Sequence, residues 1–180
     1  MRKILFLTSL CFCLNIYAKR PAAYKDLKEI LPANNHGWFY NAKQLNDIFE
    51  KYDISTIIEL GSWLGRSTVF LANKIDENGK VYAVDHWQGS IEHTENDATK
   101  ALLPTLYEQF LSNMVHAKLT KRVIPIRETT YNAAFTLDVK ADLIYLDAAH
   151  DEKNVFQDIY LWYPKLKEGG IMCGDNWAWA

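Results

Sequence analysis

Two glycines and a set of strand-end acids carry the chemistry that this sequence offers. In Glu59-Leu60-Gly61-Ser62-Trp63-Leu64-Gly65, Gly61 and Gly65 bracket a tight turn from strand to helix. Such a turn lets backbone N–H groups approach a ligand closely. The G-x-G-x-x-G spacing of dinucleotide binders is absent, which weighs against a nicotinamide cofactor. A plain strand-to-helix turn without a ligand is the structural alternative. Asp85 closes the next apolar segment about twenty residues on, where a carboxylate accepts hydrogen bonds from both hydroxyls of a ribose. His86 and Trp87 follow and offer an aromatic plane for adenine, although Trp87 equally suits the filling of a loop. His93 and His116 show no evident partner and read as surface or packing residues. Cys173, in an apolar run, reads as a small core residue rather than a nucleophile.

The elements that must position these residues follow from hydrophobic rhythm. Asn41 to Lys51 has helical spacing, with Leu45, Ile48 and Phe49 on one face. Ser55 to Leu60 is a short β-branched apolar run, and Arg66 to Ile75 returns to helical spacing. Lys80 to Asp85, Arg122 to Arg127, Ala141 to Asp147 and Gly170 to Gly174 are further strand candidates. Five strands alternating with helices predict an α/β fold: a doubly wound, Rossmann-like and mostly parallel sheet with helices on both faces. Ligands of such sheets lie at the carboxyl ends of the strands.

With 180 residues, 49% of them hydrophobic, the chain is long enough for one domain with a sizeable core. A net charge of −2 without a Lys/Arg stripe argues against nucleic acid as a partner. Residues 1–20 stand apart as an apolar leader, with Arg2 and Lys3 before the run Ile4 to Tyr17. This pattern is that of a signal peptide, and the run is shorter than the roughly 20 residues of a membrane-spanning helix. A packed N-terminal helix is the alternative. Export, or membrane association through this leader alone, is therefore expected if it is a signal, and a cytoplasmic location otherwise. Cys11 and Cys13 lie in the leader, so a domain of residues 21–180 has no disulfide framework. The oligomeric state is not legible.

Three stretches, IIELGSWLGRST, KVYAVD and ADLIYLDAAHDEKNVFQDIYLWYPKLKEGGIMCGDNW, resemble class I S-adenosylmethionine-dependent methyltransferases. The likeness is to the group of catechol O-methyltransferase and related bacterial O-methyltransferases, and it runs from about Asn35 to Trp177, weakly between Gln88 and Lys121. It implies that Glu59, Gly61, Ser62 and Ser67 surround the methionine part of S-adenosylmethionine, with Asp85 and its neighbour His86 at the nucleoside. It also implies that Asp147, Asp175 and Asn176 bind a divalent metal. Adjacent strands lie about 4.8 Å apart, so ligands from two strand ends can converge on one ion, and oxygen ligands of this kind suit Mg²⁺. His150 stands where the family has a catalytic lysine; beside Asp147 it would take the acceptor's proton, while capping the following helix or facing solvent are its other readings. The resemblance implies methyl transfer to a hydroxyl of a small molecule. A nucleotide-dependent oxidoreductase and a non-catalytic protein of the same fold are the alternatives, the latter because the family's last two strands are expected to be missing from this sequence.

Overall fold

The computed structural model describes residues 21–175, so the leader and Asn176 lie outside the described residues. Five strands form one sheet: β1 (Thr56–Leu60), β2 (Lys80–Asp85), β3 (Val123–Arg127), β4 (Ala141–Leu146) and β5 (Leu166–Gly174). Every pairing is parallel, in the order β3-β2-β1-β4-β5. The chain leaves β1 towards β2 on one side and returns to β4 on the other, which makes the end of β1 the switch point where such sheets bind ligands.

Helices cover both faces. Along β1, Ile57 packs on one side with Val81, Leu143 and Tyr145 against α1 (Ala42–Lys51), α2 (Arg66–Lys74) and α5 (Leu106–His116). Ile58 and Leu60 pack on the other side with Val84 and Ile144 against α6 (Thr130–Thr136) and α7 (Glu152–Trp162). A strand buried on both faces needs apolar side chains at successive positions, which is why β1 and β4 read as continuous apolar runs. Glu59 interrupts β1 and is nevertheless fully buried.

The sequence misjudges two regions. β5 starts at Leu166 rather than Gly170, because it advances five residues between its pairings with Ala141 and Leu143 while β4 advances two. The extra residues of this bulge, Lys167 to Gly170, are polar or glycine and hide the strand. Between Gln88 and Lys121, two short helices, α3 (Ile91–Glu95) and α4 (Asp97–Lys100), precede α5. They are too short to leave a periodic signature. Among the described residues no helix is long and apolar enough to cross a membrane.

Candidate functional site

The site is assembled at the carboxyl ends of β1, β2, β4 and β5. Gly61 leaves β1 with φ +84°, and a Cβ there would fall on the Asp147 carbonyl and 2.6 Å from Ala148 Cα. The two strand ends are held this close by hydrogen bonds on either side. Asp147 N–H donates to the Leu60 carbonyl (2.7 Å), and Gly61 N–H donates to the Val84 carbonyl (2.9 Å). Gly65, at φ +87°, precedes α2, and a side chain there would run into Met114 and the Phe110 ring. Both glycines of the turn are thus required by their neighbours as well as by their backbone angles.

Glu59 lies beneath the turn. One carboxyl oxygen accepts from Ser62 Oγ (2.7 Å) and from Thr68 Oγ1. The other, Oε1, is buried without a hydrogen-bond partner. Burial raises the carboxyl to about 7, against the Ser67, Thr68 and Ser62 hydroxyls, which pull it down. An orphaned buried oxygen of this kind costs stability until a donor reaches it. Asp85 fastens the turn from the other side: Oδ2 accepts the N–H groups of Ser62 (3.0 Å) and Trp63 (2.9 Å), and Oδ1 accepts that of Trp87 (2.6 Å). Each carboxylate oxygen has two lone pairs, so Oδ2 is filled and Oδ1 keeps capacity for one ribose hydroxyl rather than the two expected from the sequence.

The structure selects one of the two readings of Trp87. Trp87 is buried against Tyr107 and Phe110, with ring centroids 4.8 and 4.7 Å away, and its Nε1 donates to the Trp63 carbonyl (2.8 Å). It fills the loop and presents no face to a ligand. His86 is half-buried, and its Nδ1 accepts the Gln88 N–H (3.0 Å). The exposed-facing plane comes from Trp63, whose φ is +46°. His93 stacks on it at 4.2 Å and 18°, and Trp38, half-exposed, lies 6.0 Å away. His93 and His116 both have partners: Ser90 N–H donates to His93 Nδ1 (2.9 Å), and His116 Nε2 lies 2.8 Å from the Leu31 carbonyl.

Asp147 and Asp175 follow the ends of β4 and β5, one residue beyond the paired Leu146 and Gly174. Burial, then the neighbouring negative charges of Asp175 and Glu59, raises the Asp147 carboxyl to about 8. Asn41, the N-cap of α1, donates from Nδ2 to Asp175 Oδ1 (2.7 Å) and to the Tyr145 hydroxyl (3.2 Å). A cleft of about 240 Å³ opens beside them, lined by Asn41, Leu45, Ile48, Tyr145, Cys173 and Asp175. Burial also pushes the Cys173 thiol up to about 11, away from nucleophilic use. His150 is exposed, and the cap of α7 is Asp151, which accepts the Asn154 N–H (3.1 Å). Among the described residues no three His, Cys, Asp or Glu side chains gather as metal ligands, so the described part of the expected set is Asp147 with Asp175. Asn41, Thr68 and Tyr145 were not expected. The signal for Tyr145 was its alternation with Asp147 on one strand face, while Asn41 lies 134 residues from its partner.

A family of methyltransferase domains matches residues 58–177 of the chain, from inside β1 past the end of β5. The chain belongs to that family. This methyltransferase is also similar in fold to solved structures. An O-methyltransferase from Bacillus cereus in complex with S-adenosylhomocysteine has a TM-score of 0.59 at 19% identity, over 89% of this chain and 69% of that one. TomG from Streptomyces achromogenes, an O-methyltransferase of tomaymycin synthesis in complex with S-adenosylmethionine, has 0.61 at 15%, over 89% and 68%. A cofactor-bound protein from MTB has 0.61 at 21%, over 86% and 62%. The chain thus spans 62–69% of the length of these structures. Comparison with curated proteins gives no match. The expected methyltransferase family and the expected parallel sheet are borne out.

Proposed function

We propose that this methyltransferase binds S-adenosylmethionine at the Gly61–Gly65 turn and transfers its methyl group to a hydroxyl of a small molecule, with a divalent cation at Asp147 and Asp175. The observation that carries the reading is the buried, half-satisfied Glu59 beneath a turn that Asp85 fastens. A donor group of the methionine part would satisfy Glu59 Oε1, and Asp85 keeps acceptor capacity for the ribose. Gly61, Ser62 and Ser67 line the turn, with His86 beside Asp85. Trp63 supplies an apolar wall.

When bound, S-adenosylmethionine supplies a sulfonium methyl that is open to in-line displacement. The protein's own task is then positioning, because a displacement of this kind needs the acceptor oxygen held opposite the leaving sulfur. Asp147 and Asp175 would hold a cation such as Mg²⁺, with Asn176 as a third oxygen ligand, since burial and then the neighbouring negative charges raise the Asp147 carboxyl, and a positive charge beside it would offset both. Such an ion orients and acidifies a hydroxyl. His150, exposed three residues beyond Asp147, is suited to take the hydroxyl proton and pass it to water. Support for an oxygen acceptor comes from the O-methyltransferases of similar fold described above.

Isothermal titration with S-adenosylmethionine and S-adenosylhomocysteine tests the first step. Micromolar binding that Asp85→Ala weakens is expected; binding of neither ligand would sink the reading. Binding of NADH in their place would favour an oxidoreductase.

A further inference from the structure

Outside the acid cluster, buried polar side chains concentrate on α5. Gln109, Ser112 and Asn113 are all buried, an arrangement tolerated only when each polar atom finds a partner. Their partners include main-chain groups of residues 31–34, a segment without regular secondary structure. Leu31 N–H donates to Ser112 Oγ (3.0 Å), Gln109 Nε2 donates to the Pro32 carbonyl (2.8 Å), and His116 Nε2 lies 2.8 Å from the Leu31 carbonyl. Asn113 takes both main-chain groups of one residue: its Oδ1 accepts the Asn34 N–H (3.0 Å) and its Nδ2 donates to the Asn34 carbonyl (2.6 Å).

Asn113 differs from its neighbours in one further bond. Its Nδ2 also donates to the Leu64 carbonyl (2.7 Å), inside the glycine turn. Gln109 Nε2 orients the amide from behind by donating to Oδ1 (3.2 Å). If α5 merely fastened the N-terminal segment, Ser112, Gln109 and His116 would be enough. The bond to Leu64 ties that segment to the turn. Beyond Asn34 the segment continues over the turn: Arg66 donates to the Gly37 carbonyl (2.7 Å), Trp63 Nε1 lies 3.4 Å from His36 Nδ1, and the Trp38 ring lies 6.0 Å from that of Trp63.

We propose that Asn113 is a positioning residue for the methyl donor, joining residues 31–38 and the Gly61–Gly65 turn into one unit so that the segment bearing His36 and Trp38 closes over the turn. This rests on the donor site proposed above. Coupling is reciprocal, so occupation of the turn must also protect residues 31–38.

The test is performed on the full chain, well below its unfolding temperature, with S-adenosylhomocysteine as the probe and hydrogen exchange as a second readout. Asn113→Ala should weaken binding by about tenfold or more, a usual size for coupling between sites, and should release residues 34–38 and 61–65 to exchange together. Ser112→Ala should free residues 31–34 and leave affinity within about twofold. Gln109→Met, which unsettles the Asn113 amide while keeping its place filled, should give a smaller loss of the same kind, and it serves if Asn113→Ala does not fold. Unchanged affinity in both Asn113→Ala and Gln109→Met, or an equal loss in Ser112→Ala, overturns the proposal. If the wild type binds no S-adenosylhomocysteine, the donor reading fails, and joint against separate release of the two segments still decides the coupling.

Discussion

Replacing Gly61 with alanine separates two demands that its position makes on the chain. The left-handed backbone, φ +84°, costs a residue with a Cβ about 1–2 kcal/mol. The added carbon also meets the Asp147 carbonyl and lies 2.6 Å from Ala148 Cα, and overpacking of this kind costs about 1–3 kcal/mol. Gly169 supplies the control: its φ is +75° and a Cβ there meets nothing within 4 Å, so Gly169→Ala incurs the backbone cost alone. For a domain of this size each kcal/mol lowers the melting temperature by about 2–4 °C. Gly61→Ala is therefore expected to melt roughly 4–20 °C below wild type, and Gly169→Ala roughly 2–8 °C below it, followed by far-ultraviolet circular dichroism. Donor affinity should fall in the first variant and stay in the second, because only Gly61 holds the turn against β4. Equal melting temperatures for the two variants would refute the argument from close approach.

Other consequences follow from the acids and the aromatic packing. Glu59, raised from 4.5 to about 7, binds its proton more tightly folded than unfolded. Its stabilising contribution is complete below about pH 4.5 and is lost as pH rises through about 7, a loss on the order of 3 kcal/mol. Asp147, raised to about 8, acts in the same direction. The ligand-free protein should thus melt at a lower temperature at pH 8 than at pH 5, and Glu59→Gln should flatten that slope; a variant with the wild-type slope would show that Glu59 is already ionised when folded. His150→Gln should lower kcat by about 10²–10⁴ while leaving S-adenosylhomocysteine binding intact, and full activity would remove it from proton transfer. Asp147→Asn should abolish any activation by Mg²⁺ in the same assay. Trp87→Phe keeps a ring between Tyr107 and Phe110 but strands the Trp63 carbonyl, and should cost about 1–3 kcal/mol in urea melts; no shift in midpoint would mean that water replaces the indole.

The parallel sheet was legible because its inner strands are buried on both faces, leaving unbroken apolar runs such as Ile57-Ile58 and Leu143-Ile144. The glycine turn was legible because few residues other than glycine accept such backbone angles. What escaped depends on side chains meeting across long separations. Asn41 and Asp175 are 134 residues apart, His93 stacks on Trp63 from another element, and Asn113 bonds Leu64 from a region where the family likeness is weak. Trp87 offered two readings, and only the packing of Tyr107 and Phe110 decides between them. The start of β5 was missed because a bulge of charged residues and glycine breaks the alternation that marks a strand.

The contact of Gly61 with Asp147 also bears on how this protein can diversify. The spacing between the turn and the acid pair is fixed by two main chains touching, so no exchange of side chains can widen or narrow it. Point mutation is free to alter the cleft beside the acids, at Leu45 or Ile48, but not the separation of the turn from the acids. On the function proposed above, new acceptors would come through the walls of the cleft, while the distance between donor and acceptor sites would be inherited with the backbone.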